Sequence, residues 1–461
     1  MRDAVIIGGG ITGLSAAYEL VKGGARPALI EAGPRLGGVI QTEVIDGCVL
    51  EGGPDSFLSA KPAATELIRE LGLGDEIIAS NDHARVTYLV KNGRLLAMPD
   101  GLLMMVPTKV LPVALSPLLS WGTKLRMGLE YFRRPPVADA GDRTVADFIR
   151  GHYGQETVDY LAEPLLSGVY GGSVDRLSVN SVLPRFVELE RKYGSLTRGV
   201  LAARAARRGQ ASNSKEEPLF QTMRGGLAQL TAELERRIRP AADIIHGRAE
   251  ALEREDGHYR VRVQGEWIKT SAVIGACPAW AMAGLLSPVH AELGGLLAGI
   301  DYSSSLTLAL VYRAEDCGPL PPGFGFLVPA CERRTLTACT FVGAKFPNRV
   351  PASHIVLRCF LGGAGQEAVL DRPDPELAGT VQEELRGLLG WRARPAFTRI
   401  SRWRRSMAQY EVGHTARVAR IENILQSLPG LHLAGNAYSG IGIPDCVRTG
   451  RAAARAVLAG R

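Results

Sequence analysis

The sequence predicts an α/β protein in three parts: a doubly wound parallel sheet that binds a dinucleotide, a discontinuous mixed-sheet domain, and a helical insertion domain. Three observations predict it. A glycine-rich loop joins a strand to a helix within the first twenty residues. A second glycine-rich loop opens the last helix. Between them, a mainly helical stretch and a strand-rich stretch interrupt the nucleotide unit.

Residues 4–7 are the short apolar run of a buried parallel strand. Gly8, Gly10 and Gly13 then fit G-x-G-x-x-G, with Ile11 and Thr12 between them, and Leu14–Leu20 reads as the following helix. Gly8 permits the tight turn, Gly10 lets a pyrophosphate approach the backbone, and Gly13 lets the helix pack closely on the strand. The helix N-terminus directs free N–H groups at the phosphates. Pro27–Ile30 is a second strand that ends at Glu31, eighteen residues past Gly13, where an acid hydrogen-bonds a ribose hydroxyl. Ala32, Gly33, Pro34, Arg35, Leu36, Gly37 and Gly38 follow. A nicotinamide enzyme usually runs from here into another βα unit. An acid followed by Arg and Gly-Gly fits instead a Rossmann-like FAD-binding domain with an extended crevice. Arg35 would pair with the pyrophosphate, and Gly37-Gly38 would let the backbone approach the flavin.

Composition narrows the function class. The net charge is +7. Basic runs such as Arg204–Arg208 are short and lack interleaved aromatics, which excludes nucleic-acid binding. A small polyanion fits better, because Arg grips carboxylates with a planar fork. The seven cysteines are scattered with no C-x-x-C pair, which argues for a reducing, cytoplasmic setting and against a metal site. The first strand begins almost at the N-terminus, leaving no room for a signal peptide. Leu102–Leu119 is the most apolar long stretch, but Pro107, Lys109, Pro112 and Pro117 make a spanning helix improbable. It reads as the wall of an apolar pocket, with peripheral membrane contact through residues 102–132 as the alternative.

Along the chain, residues 1–60 open the nucleotide unit and close on the turn cluster Gly53, Pro54, Asp55 and Ser56. Residues 61–100 begin the substrate domain, with a helix over 62–72 and a hairpin around Asn92-Gly93. Residues 101–215 are mainly helical, with Asp142-Arg143-Thr144 as a cap and the apolar, glycine-rich segment Glu163–Gly172. Residues 207–218 read as a polar surface loop. The nucleotide unit returns over 216–290 with a helix near 227–238, a small meander and the parallel strand Ala272–Ala276. Residues 291–400 return to the substrate domain, with a helix over Val381–Leu389. Residues 401–461 close the nucleotide unit with a strand-to-turn at Leu431–Asn436, including Gly435, and a helix from Val447 to Leu458. Gly440–Cys446 is the second glycine loop, which offers N–H groups to an anion or to the flavin's polar edge.

Taken in order, Gly8–Gly13, Glu31-Ala32, Arg35–Gly38, Gly53–Leu58, Leu165–Tyr170, Trp403, Gln409–His414 and Gly440–Cys446 resemble the FAD-dependent porphyrinogen oxidases within the amine-oxidase-like flavoproteins. Gly53–Leu58 and Gly440–Cys446 are most similar to the bacterial coproporphyrinogen III oxidases. The resemblance implies flavin contacts at Gly8, Gly10, Ile11, Thr12, Gly13, Glu31, Ala32, Arg35, Gly37, Gly38, Gly53, Pro54, Asp55, Ser56, Trp403, Gly435, Ile441, Gly442 and Ile443. It also implies a strand residue near Ala249 against the adenine. Lys61 falls where relatives carry a cation facing a substrate propionate, although Pro62 replaces a second cation, and a helix-start surface lysine is the other reading. Leu166, Gly168 and Tyr170 would wall the substrate. His414 is either a structural or a pocket histidine.

The resemblance implies removal of six electrons from coproporphyrinogen III by bound flavin, with oxygen as the final acceptor and three hydrogen peroxide molecules formed. No catalytic side chain is expected, because the cofactor takes the hydride. Protoporphyrinogen IX is the alternative substrate. Four propionates on one substrate against two on the other make a basic rim favour the first. An amine oxidase would want an acidic or aromatic pocket, and a non-catalytic relative would lose flavin contacts.

Overall fold

A computed structural model describes residues 2–136, 141–210 and 218–460. Its first sheet has five parallel strands in the order Asp243–His246, Ala28–Glu31, Val5–Ile7, Val273–Gly275, Leu431–Leu433. Both faces are buried, as an all-parallel sheet requires. Ile6, Leu29 and Ile274 enter one core with the helices Ile11–Lys22, Ala228–Ile238 and Ile443–Ala459. Val5, Ile7, Ile30 and Val273 enter another with the meander Ala249–Glu255, His258–Val263 and Glu266–Thr270. Five strands drawn from residues 5 to 433 thus build one sheet.

The second sheet has seven strands, in the order Phe397–Ala408, Tyr302–Arg313, His354–Gly362, Leu336–Phe341, Gly325–Leu327, Thr87–Lys91, Arg94–Ala97. Only Gly325–Leu327 and Thr87–Lys91 pair in parallel, so the sheet is mixed as expected. The hairpin turns at Asn92-Gly93 with both residues at positive φ, the geometry of a type I′ turn. Helix Asp374–Leu389 covers one face with Leu377, Val381 and Leu385.

The sequence-based boundaries shift in three places. Helix Ala63–Glu70 packs with the nucleotide unit, because Ala64, Leu67 and Ile68 share a core with Leu14, Leu20 and Val457. The last strand of the mixed sheet runs to Ala408, well past residue 400. The closing helix begins at Ile443 rather than Val447, since Pro444 in its first turn lacks an N–H that would be unpaired there anyway. The polar stretch over 207–218 begins inside helix Leu196–Gln210, and residues 211–217 lie outside the described residues.

The helical part contains Trp121–Glu130, Val145–Tyr153, Glu163–Tyr170, Pro184–Tyr193 and Leu196–Gln210. Thr144 caps the second of these by accepting from the Asp147 amide at 3.0 Å. The apolar stretch near 102–119 does not form one wall. Met105, Val106, Val113, Leu118 and Leu119 are buried, whereas Val110 is 85% exposed and Leu111 and Leu115 face solvent beside it. Among the described residues, no helix is long and apolar enough to cross a membrane.

Glu130 ties this unit together. It is buried and accepts from Ser195 Oγ (2.8 Å), Leu196 N (2.7 Å) and Thr197 N (3.3 Å), so it caps the helix that starts at Leu196. His152 bridges Glu130 (2.8 Å) and Glu190 (3.1 Å). Burial opposes ionisation of both carboxylates, but the His152 hydrogen bond and further donors overcome it and hold both below the ordinary range. Their contribution is complete above the unfolded carboxylate value of about 4.3 and is lost as pH falls through the lower folded values. Glu130→Ala is expected to cost about 3 kcal/mol or more, because Ser195 Oγ and the Leu196 and Thr197 amides lose their buried acceptor at about 1–3 kcal/mol each. Urea unfolding at pH 7 measures it, and the deficit should shrink below pH 4; an unchanged midpoint would contradict the assignment.

Candidate functional site

The first glycine loop and the second strand's glycine stretch form one surface. Gly37 N donates to Gly9 O at 2.8 Å, and Gly10 and Gly37 form a parallel bridge. A Cβ on Gly13 would collide with the Gly8 carbonyl, whereas one on Gly10 would meet nothing within 4 Å. Gly10 therefore faces open space at the N-terminus of helix Ile11–Lys22, where no side chain caps the first-turn amides. An uncapped helix start, an open face and an acid at the strand end suit a dinucleotide phosphate and ribose.

Glu31 accepts from Gly9 N (2.7 Å) and Gly33 N (2.6 Å). A carboxylate offers about four lone-pair sites, so acceptor capacity remains for a ribose. Arg35 is placed differently from expectation. Its guanidinium donates to the carbonyls of Leu36 (3.1 Å), Ile40 (2.9 Å) and Gly38 (2.8 Å), so it shapes the loop that carries it. Ala32 is exposed beside it. Ala249 opens the meander three residues after His246, which is paired with Glu31.

The turn Gly53–Ser56 packs against this loop: a Cβ on Gly53 would strike Val39 O. Trp403 Nε1 and Thr307 Oγ1 both donate to Gly52 O, at 2.7 and 2.6 Å. The Thr222 hydroxyl donates to Asp55 O at 2.7 Å, just past Pro54. The Asp55 carboxylate receives Lys345 Nζ at 3.0 Å and Ser56 Oγ at 2.7 Å. Burial works against its charge, but Lys345 and Arg358 hold its pKa well below the ordinary carboxylate value.

At the other end, Gly435 sits beside Thr12, with an added Cβ 3.7 Å from Thr12 Oγ1. Gly440 N donates to Tyr410 Oη (2.9 Å), which donates to Asn436 O (2.8 Å). Ile441, Gly442 and Ile443 lead from there into the last helix. Lys61 Nζ contacts Asp445 at 2.6 Å, which brings this cation to the same loop. Tyr170 lies 6.2 Å from Tyr410 between ring centroids. Burial, then the Asp445 charge, pushes the Tyr170 phenol up to about 12. Gly168 is exposed one turn away, but Leu166 is buried in the helical core and contributes no open surface. His414 stacks on Tyr410 at 4.1 Å, and burial pushes its imidazole down to about 4, so it is neutral at pH 7.

Sequence reasoning missed Thr307, Lys345, Arg349 and Arg358, and noted Tyr410 only within the Gln409–His414 stretch. Arg349 pairs with Glu51 at 2.9 Å, and Arg358 donates to Gly53 O and to Glu51 O. Thr307, Lys345 and Arg358 reach Gly52–Ser56, and Arg349 reaches Glu51, only through the tertiary fold.

The sequence pattern of the flavin containing amine oxidoreductases matches residues 11–458, and the chain belongs to that family. Its members carry a flavin, and the two glycine loops are where this chain would hold one. It is 34% identical over 460 residues to coproporphyrinogen III oxidase of Bacillus subtilis (strain 168), covering 98% of this chain and 97% of the relative. It is 28% identical to protoporphyrinogen oxidase 1, chloroplastic, of Arabidopsis thaliana, over 96% and 86% of the two chains. A crystal structure from Exiguobacterium sp. 255-15, provisionally named a protoporphyrinogen oxidase, superposes with a TM-score of 0.88 at 30% identity, covering 100% of this chain and 99% of that one.

Gly10→Val separates the cofactor role from packing. Its Cβ meets no protein atom, and the backbone there is in the extended region open to any residue. The flavin-free variant should match wild-type stability within about 0.5 kcal/mol, the usual range for a substitution that disturbs no packing. Its flavin content, read by absorbance after purification, should fall more than about tenfold, a loss of roughly 1.4 kcal/mol or more in binding. Full flavin occupancy would contradict the placement.

Proposed function

We propose that the chain is an FAD-dependent coproporphyrinogen III oxidase of haem and porphyrin biosynthesis, using oxygen and forming coproporphyrin III and hydrogen peroxide. The observation that carries this reading is the position of Lys61. Lys61, nearly half exposed, contacts Asp445 of the Gly440–Cys446 loop, and the Asp445 charge in turn acts on the Tyr170 phenol. The half-buried Tyr170 ring, with a cation on the neighbouring loop, suits a macrocycle carrying propionates. The full-length similarity to coproporphyrinogen III oxidases supports the same substrate.

Bound FAD would supply the hydride acceptor and pass electrons to oxygen. The chain's own residues have simpler tasks. The first-turn amides of helix Ile11–Lys22 would hold the pyrophosphate, and Glu31 would hold the ribose. Trp403, Thr307 and Arg358 fix the carbonyls of Gly52 and Gly53 from behind. Lys61 anchors a propionate by exchanging Asp445 for the substrate carboxylate. No side chain is assigned a proton: His414 is neutral at pH 7 and already meets Tyr438 O at 3.3 Å. The seven unpaired cysteines are consistent with a reducing cytoplasm.

A peripheral membrane contact belongs to the same reading. Trp121, Leu125 and Leu129 recur on one helix face and are exposed, with Trp121 at 73% and Phe132, just beyond, at 74%. Lys124 Nζ lies 4.4 Å from the Trp121 ring, and the helix also carries Arg126. Apolar side chains on a helix that also carries cations match an anionic lipid surface.

Fluorescence assays with coproporphyrinogen III and protoporphyrinogen IX in parallel test the substrate. Coproporphyrinogen should be oxidised with the higher kcat/KM, and Lys61→Ala should raise its KM about tenfold or more at similar kcat, the pattern of lost binding. Equal KM values for the variant and wild type would remove Lys61 from the site, and turnover of amines alone would overturn the reading. Trp121→Ser with Phe132→Ser should abolish co-sedimentation with phosphatidylglycerol vesicles; undiminished binding would exclude this face.

A further inference from the structure

The turn Glu51–Ser56 is backed by five buried or half-buried charges that the proposed chemistry does not use. Lys345, Arg349 and Arg358 are 9%, 1% and 4% exposed. Two carboxylates oppose them. Glu51 receives Arg349 (2.9 Å), Thr42 Oγ1 (2.6 Å) and Leu227 N (2.8 Å). Asp55 receives Lys345 (3.0 Å) and stands 3.6 Å from Arg358. Three cations share two carboxylates, which leaves the cluster one positive charge in excess. Burial raises the Glu51 pKa, so any protonation there only enlarges the excess. An unbalanced interior charge is costly unless a counter-charge arrives.

Among the described residues, Glu51 and Asp55 are the carboxylates paired with these cations. The small crevice that reaches Arg349 and Arg358 from the outer side is walled by Val49, Leu50, Ala309, Val342, Phe346 and Val356, which present no further donors. On the inner side the cations pull backbone carbonyls toward themselves. Arg358 takes Glu51 O and Gly53 O, and Arg349 takes Met223 O at 2.7 Å. With Trp403 and Thr307 on Gly52 O, the carbonyls of residues 51, 52 and 53 all turn into the protein. This turn is the one that the family resemblance gives to the flavin.

We infer that Lys345, Arg349 and Arg358 form a buried cationic backing that holds Gly52–Ser56 in its cofactor-binding shape and favours the negatively charged reduced flavin, whose charge completes the balance. The inference rests on the flavin reading above. Reduction of the backed flavin then takes up two electrons and one proton, with the second charge neutralised by the cluster. These three are positioning residues and touch no reacting atom.

The reduction potential of the bound flavin tests it. On wild-type protein, potentiometric titration across the mildly acidic range should show one proton taken up per two electrons, where free FAD takes up two. Lys345→Met should shift the oxidised-to-reduced ratio at fixed potential about tenfold toward oxidised, or about 30 mV for a two-electron couple. Lys345→Arg should restore it. A Lys345→Met chain that keeps its flavin-free melting temperature but loses FAD also supports the backing. Two protons per two electrons in wild type, or Lys345→Met and wild-type potentials that coincide, would overturn it. Wild-type protein that neither copurifies with FAD nor binds it would remove the flavin reading itself.

Discussion

The nucleotide unit depends on a backbone-to-backbone approach that admits no side chain. At Gly13 the first helix lies against the Gly8 carbonyl, and at Gly53 the third turn lies against Val39 O. The Gly9 carbonyl in turn receives Gly37 N. These contacts fuse three segments that are distant in sequence into a continuous polar surface made of main chain. A main-chain surface is rigid and uncharged, and it offers N–H groups where side chains would offer bulk. The relative placement of the three segments follows from this constraint, because each is fixed by the one before it.

The charged groups then divide by position. At the last loop Lys61, nearly half exposed, pairs with the buried Asp445, and the half-buried Tyr170 packs beside the buried Tyr410 and His414. Behind the turn stand Lys345, Arg349 and Arg358, almost wholly buried. Coulomb interactions are weak at the first location and strong at the second. The exposed lysine is therefore suited to exchanging one carboxylate for another. The buried cations are suited to setting a fixed potential, since nothing mobile screens them. The chain's basic balance is thus spent in two ways that composition alone does not separate.

Local features were legible in the sequence, and long-range ones were not. The hairpin at Asn92-Gly93 and the Thr144 cap depend on neighbours within a few residues, so their chemistry is written in order. The Gly8–Gly13 loop and Glu31 were legible because strand, loop, helix and acid occur as a unit. Arg35 was recognised as a loop cation, but its hydrogen bonds go to Leu36, Gly38 and Ile40, a choice set by how the loop curls. Lys345 and Asp55 are 290 residues apart, and no spacing rule links them. The start of the last helix was missed because Gly442 and Pro444 read as loop residues, although proline is tolerated in a first turn.

The stretch over 102–132 shows why apolar content underdetermines placement. The same run supplies buried Val113 and Leu118 and exposed Val110, Leu111 and Leu115. A prolyl-interrupted segment forms helices too short to bury every face, so one side stays exposed. The Trp121–Glu130 helix resolves this with opposite loyalties on its two faces. Its inner face ends in Glu130, which caps a neighbouring helix and fixes the orientation. Its outer face carries Trp121, Leu125 and Leu129. An apolar face held rigidly outward by a buried carboxylate is not a packing accident, because relaxing it would require breaking the Glu130–His152–Glu190 cluster. The orientation is maintained at a cost in exposed apolar area, and a surface that receives this face would offset that cost.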